Sequence, residues 1–209
     1  MEGVIMAYLN DSRGFFTSAK SLNPIPVESD VFRDALIRAS LDPAVRSIEK
    51  MPAAALIHNL AVVVREDGRF AYGADGDARS IPSLLAQALE ISQLRPLLIS
   101  MQELYREPAI SNDRLIWSHK ARRVSNGIQT EILEFLSSYG PATLRELVST
   151  LRLQRRSETS VLSMACSDLI EIDELAVKPF GLESIVRCRS ASSVDEKFMV
   201  KRPIGLRSA

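Results

Sequence analysis

Between Asn126 and Arg189 the apolar positions repeat at helical spacing three times and then give way to two short β-prone runs. Ile128, Ile132, Leu133, Phe135 and Leu136 make one face of a first helix, which Gly140-Pro141 ends. Thr143, with Glu146 three positions on, has the spacing of a capping box ahead of Leu147 and Val148. Residues Leu153 to Arg156 then connect to a third helix, with Val161, Leu162, Ala165, Leu169 and Ile170 on its buried side. Leu175-Ala176-Val177 and Ser184 to Arg189 read as strands on either side of a Pro-Phe-Gly turn. Three helices followed by a hairpin is the order of a winged helix-turn-helix, in which the third helix enters the major groove and the hairpin touches backbone.

The first half has a different rhythm. Met1 to Val27 is irregular, punctuated by Gly14, Asn23, Pro24 and Pro26, with Phe15-Phe16 suited to tacking an N-terminal arm onto the rest. Glu28 to Ala39 reads as a helix through Val31, Phe32, Ala35, Leu36 and Ala39, and Asp42-Pro43 breaks it before Ala44-Val45 starts a strand or turn. Ala53 to Arg65 becomes β-branched toward its end, Asp67-Gly68 signals a hairpin, and Arg69 to Tyr72 would return. After the polar loop 73–80, Ile81 to Leu94 predicts a helix capped by Ser80, and Leu97 to Ser100 a short buried strand. Glu103 to Glu107 and Ser111 to Trp117 bridge to the second half, with Tyr105 and Trp117 expected to pack at the junction. The fold class expected is therefore α+β: an α+β domain over residues 1–110, a winged helix over 120–190, and a flexible tail over 191–209.

Formal net charge is zero and the hydrophobic fraction is 46%, so any affinity for nucleic acid has to come from local clustering. Such clusters exist. Gln154, Arg155, Arg156, Ser157 and Thr159 gather at the start of the third helix, where the backbone N–H groups and the helix dipole also favour phosphate. Lys120, Arg122 and Arg123 precede the first helix, and Lys178, Arg187 and Arg189 lie in or near the wing. Solvated surface charge on a protein-docking module is the competing explanation, because fold alone does not decide function. Cys166 and Cys188 make neither a disulfide framework nor a metal set, and His58 and His119 are too few for zinc. With no apolar run of membrane-spanning length and no basic leader, a cytoplasmic protein without a membrane partner is expected.

The succession Gly14-Phe15-Phe16, Pro26-Val27-Glu28-Ser29, a helix, Asp42-Pro43-Ala44-Val45 and Met51-Pro52 resembles the opening of TnsA-like transposon endonucleases. Leu97 to Ser100 followed by Leu104-Tyr105-Arg106 and Asn112 resembles the close of their nuclease domain, which a winged helix follows. The resemblance implies a restriction-endonuclease-like core that cuts DNA with Mg²⁺ held by carboxylates, beside a lysine that polarises water. This chain departs from that pattern at the chemistry. The helix glutamate position falls on Phe32, which cannot bind a hard cation. Tyr72-Gly73-Ala74-Asp75 retains an aspartate without its neighbours, and no lysine occurs from Met51 through His119. Asp75 and Asp77 read more simply as a loop pair capping the next helix. A catalytic site would need Glu28, Asp75 or Asp77, and Glu90 to converge, with Arg79 or Arg95 in place of lysine.

The expectation is a non-catalytic protein that binds double-stranded DNA through a winged helix, on a degenerate restriction-endonuclease-like domain serving as scaffold or dimerisation surface. It would need no cofactor and would act in transcriptional control or on mobile-element or phage-derived DNA. The alternatives are a Mg²⁺-dependent endonuclease working with a transposase-like partner, and a winged helix that docks protein.

Overall fold

Alternation along the strands sorts the first half into layers. The structure, a computed structural model, describes residues 14–51, 59–75, 86, 89–151 and 157–189. Strands β1 (Gly14–Phe16) and β2 (Ile25–Val27) pair antiparallel, followed by helix α1 (Asp30–Leu41). Ser29 caps α1 by accepting the Phe32 N–H at 3.1 Å. Strands β3 (Val45–Lys50), β4 (Ala61–Arg65) and β5 (Gly68–Asp75) form an antiparallel meander, and β6 (Arg95–Ser100) joins β5 in parallel. A parallel neighbour needs a crossover, and the helical residues 89–91 lie on it. Val45, Ile48, Ala61, Val63, Tyr72 and Ile99 share a core with α1, whereas Val62 and Ala71 meet Met51, Leu89 and Leu94 in a second cluster. The outer edge of β3 is not open: Ile48 N–H donates to the Lys20 carbonyl at 2.8 Å.

Helices α2 (Met101–Leu104) and α3 (Ala109–Trp117) follow. The remainder comprises α4 (Asn126–Tyr139), β7 (Ala142–Thr143), α5 (Leu144–Thr150), α6 (Ser157–Cys166), β8 (Ile170–Ile172) and β9 (Ile185–Cys188), the strands ordered β7-β9-β8. Thr143 and Glu146 close the expected capping box in both directions. Among the described residues no helix is long and apolar enough to cross a membrane. The architecture is α+β.

Several expected elements sit elsewhere. The third helix stops at Cys166, because Asp168 takes a left-handed conformation (φ 61°), and Ile170 opens a strand. Leu175 to Val177 is a turn, not a strand, since Glu174 is also left-handed (φ 59°) and the Leu175 carbonyl is held by Asn112. The hairpin register pairs Arg65 with Gly68, so Glu66-Asp67 are the turn residues and Gly68 (φ 142°) begins the return strand. The strand Arg95–Ser100 lies at the sheet edge with only Ile99 buried, so Pro96 removes no ladder bond the fold requires. Most of the helix expected over 81–94 lies outside the described residues; its end comes at Ile91, before Gln93 at φ 54°. The N-terminal stretch expected to be irregular contains β1 and β2, and the expected bridge is helical in α2 and α3. The expected flexible tail lies outside the described residues.

Helix α3 is where the two halves meet. Trp117 stacks on Phe16 at 5.2 Å and 7°, and Trp117 and Leu41 pack against both large cores. Arg38 Nε donates to Asp113 and Arg114 to Asp34, each at 2.8 Å, which fastens α3 to α1. On its other side Ile116 is fully buried in the C-terminal core. Asn112, 3% exposed, uses its whole amide: Nδ2 donates to the Leu175 and Lys178 carbonyls at 2.7 Å each, and Oδ1 accepts the Phe180 N–H at 2.9 Å. Replacing Asn112 with Ala strands these three backbone groups, so Asn112→Ala should lower unfolding free energy by about 2–4 kcal/mol in urea denaturation. A loss below about 0.5 kcal/mol would show that water replaces the amide without cost.

Candidate nucleic-acid interface

A helix that reads bases must leave one face open. In α6, Glu158 is exposed and Thr159 half-buried, but every residue from Ser160 to Cys166 is buried. Val161, Leu162, Met164 and Ala165 belong to the core shared with α4, α5 and the small sheet. The opposite side is closed by α3 and the turn after it. Cys166 Sγ donates to the Ile116 carbonyl at 3.1 Å, and Ser163 Oγ donates to the Arg122 carbonyl at 2.6 Å. Burial pushes the Cys166 thiol up to about 12, so it stays protonated and acts as a packing group. Ser160 and Ser163 are buried too, and Ser163 pins the covering turn.

Of the ten residues expected to meet DNA, Thr159 is half-buried in the first turn of α6 and the others fall into three groups. Gln154, Arg155 and Arg156 lie outside the described residues, as does the side chain of Ser157. Lys120, Lys178 and Arg187 each have a partner within the protein. The Lys120 ammonium sits 4.6 Å from the Trp117 ring and donates to Thr17, and burial lowers its pKa. Lys178 pairs with Glu174 at 2.6 Å, and Arg187 with Asp173. The hydrogen bond that Arg187 donates to Asp173 raises the Arg187 pKa, so that guanidinium is charged but occupied. Arg145 pairs with Glu183 at 2.6 Å and Arg189 with Asp168. Arg122 and Arg123 remain exposed, with no carboxylate partner among the described residues, on the turn that crosses α6.

The acidic side chains of the nuclease alternative are spread out. Glu28 is exposed just after β2, Glu90 is exposed in the helical stretch ahead of β6, and the side chains of Asp75 and Asp77 lie outside the described residues, as does Arg79. Arg95 stacks 4.4 Å from the Phe70 ring and donates to the Asp67 carbonyl. Phe32, where the resemblance to TnsA-like endonucleases would put a carboxylate, is 1% exposed in the core. Among the described residues no three His, Cys, Asp or Glu side chains gather as a metal site would require. A cavity of about 240 Å³ lies elsewhere, between the end of α1 and β6, lined by Arg38, Asp42, Arg65, Tyr72, Leu97 and Glu103. Its cations are matched by Asp113 and Asp42, and burial raises the pKa of Tyr72, whose hydroxyl donates to the Ala35 carbonyl at 3.1 Å.

A second buried charge cluster, which sequence patterning did not single out, joins the two halves. Lys20 is 5% exposed; its ammonium donates to the Asp42 carbonyl at 2.7 Å and lies 3.3 Å from Asp168. No periodic signal marks such a lysine, since its partners come from α1 and from the turn after α6. Neither a protein-family model nor a curated protein matches the chain.

Desolvation, helped by the Arg189 charge, pulls the Lys20 pKa down from 10.5 to about 8. Between those values the unfolded chain binds more protons than the folded one, so stability rises with pH there. The penalty for holding this charge is full below pH ~8 and is relieved toward pH ~10.5, by about 3 kcal/mol in total. Urea denaturation of the wild type and Lys20→Met across that window should show the wild type gaining roughly 2–3 kcal/mol relative to the variant. A pH-independent difference would refute the assignment.

Proposed function

We propose that this chain is a non-catalytic DNA-binding protein, acting in transcriptional control or in assembly on mobile-element or phage-derived DNA. The observation that carries the proposal is the contrast among its C-terminal cations. Arg145, Lys178, Arg187 and Arg189 are neutralised by carboxylates, whereas Arg122 and Arg123 stand exposed without one among the described residues. Arginine suits phosphate because its planar fork matches two oxygens at once and is never deprotonated. The order α4, α5, α6, β8, β9 supports a winged helix, and the capping box that starts α5 is a local device serving the same arrangement. In the first half, a helix followed by three antiparallel strands and a parallel fourth is in keeping with a nuclease-shaped framework. The apolar Phe32 buried where the family places a metal ligand favours scaffold over catalyst.

Each phosphate contact adds close to one unit to the slope of log affinity against log salt. Arg122→Ala with Arg123→Ala should therefore weaken duplex binding about 10- to 100-fold at low salt and lower the slope by about two. Arg145→Ala, which removes a cation already paired, should change affinity less than about threefold. Fluorescence anisotropy on a labelled duplex across a potassium chloride series measures both. An unaltered slope in the double variant would reject the proposed contact.

A further inference from the structure

We propose that the cavity between the end of α1 and β6 is a binding site for a small organic cation with an apolar body. The proposal is independent of the DNA-binding reading. The cavity measures about 240 Å³, several times what one water occupies, whereas protein interiors ordinarily leave few voids larger than a water. An apolar cavity of about 150 Å³ takes benzene, so this one admits a six-membered ring with a short arm. Ala39 is the small buried residue that α1 contributes to it, and Val63, Tyr72, Leu97 and Ile99 form its apolar wall. Small-molecule sites have this composition, an apolar wall with a few placed polar groups.

The polar rim decides the sign of the ligand. Arg38 Nε donates to Asp113 at 2.8 Å and Nη1 to the Glu103 carbonyl at 2.9 Å, while Arg65 donates to Asp42. Arg38 Nη2 and Arg65 Nε have no acceptor, but both are sealed from solvent, so a molecule in the cavity does not reach them. Each guanidinium charge is therefore matched by a carboxylate. The Glu103 side chain, exposed at the rim on α2, has no cationic partner among the described residues. Asp42, Asp113 and Glu103 thus outnumber Arg38 and Arg65 by one negative charge. Tyr72 senses the same balance: burial is the main cause of its raised pKa, Arg38 opposes it, and those three carboxylates add to it. Such a rim attracts a cation and repels an anion, more strongly beside an apolar wall than in open water. The lining favours an ammonium group at Glu103 with its hydrocarbon body against Leu97 and Ile99.

Three probes of similar size and different charge test this on the full chain: 2-phenylethylammonium, 2-phenylethanol and phenylacetate. Titrations followed by ¹H–¹⁵N correlation spectra read both affinity and place. The ammonium probe should saturate, shift the amides of residues 38–42, 72 and 97–99, and bind about fivefold tighter than the alcohol. Phenylacetate should bind more weakly than the alcohol. Glu103→Gln should erase the difference between ammonium and alcohol while leaving the alcohol's affinity unchanged. Leu97→Trp, which fills the cavity, should abolish binding of all three; should that variant fail to fold, Glu103→Gln at its exposed position decides alone. Failure of the ammonium probe to saturate, shifts confined to other residues, or equal affinity for phenylacetate would overturn the proposal. So would a preference for the ammonium that survives Glu103→Gln.

Discussion

Everything in the second half leans on the short helix Ala109–Trp117. One flank is tied to α1 by Arg38–Asp113 and Arg114–Asp34; the other buries Ile116 in the C-terminal core and presents Asn112 to a loop with no regular structure. A buried amide that spends both N–H groups and its oxygen on backbone is a strong positional constraint. Each unmet group would cost a desolvation penalty instead of a hydrogen bond. The loop 173–184 is long for a hairpin connection and has few apolar anchors, so this amide decides where it lies. Trp117, stacked on Phe16 and capped by the Lys120 ammonium, extends the seam to the N-terminal strand pair.

That seam changes what the helix order means. In a winged helix the third helix and the hairpin face DNA; here α3 and its following turn cover residues 160–166 of α6. The charges follow suit. Lys120, Lys178 and Arg187 are each drawn into a local partner, whereas Arg122 and Arg123 stand exposed with no carboxylate partner among the described residues. With zero net charge over the chain, the DNA binding proposed above would have to be local and strongly salt-dependent. The buried Lys20, between the Asp42 carbonyl and Asp168, belongs to the same logic: a polar contact that registers two halves at some expense in stability.

Local signals were read well wherever the responsible groups are neighbours in the chain. The capping box at Thr143 and Glu146, the stop at Gly140, the hairpin near Gly68 and the helices over 30–41 and 126–139 follow from contacts a few residues apart. The misplacements share a cause. Ile170 and Leu175 to Val177 carry β- and α-compatible patterns alike, and two left-handed residues, Asp168 and Glu174, decide between them. Neither is a glycine, so no sequence marker announces the turn. Each is held by pairing with distant segments: Leu169 with Arg189, and Asp173 with Ile185.

What the chain determines by itself is its inventory: which stretches are helical, that the halves differ in character, and that the first helix carries the apolar Phe32 on its buried side. Which surfaces survive for a partner was decided only when the halves packed. Burial is a property of pairs of surfaces, and periodicity reports one surface at a time. Ser160 and Ser163 are polar residues, yet both are buried where α3 and the turn behind it pack on α6. The same holds for charge. Arg187 and Arg122 are indistinguishable as letters, and only the fold places an aspartate beside one and none, among the described residues, beside the other.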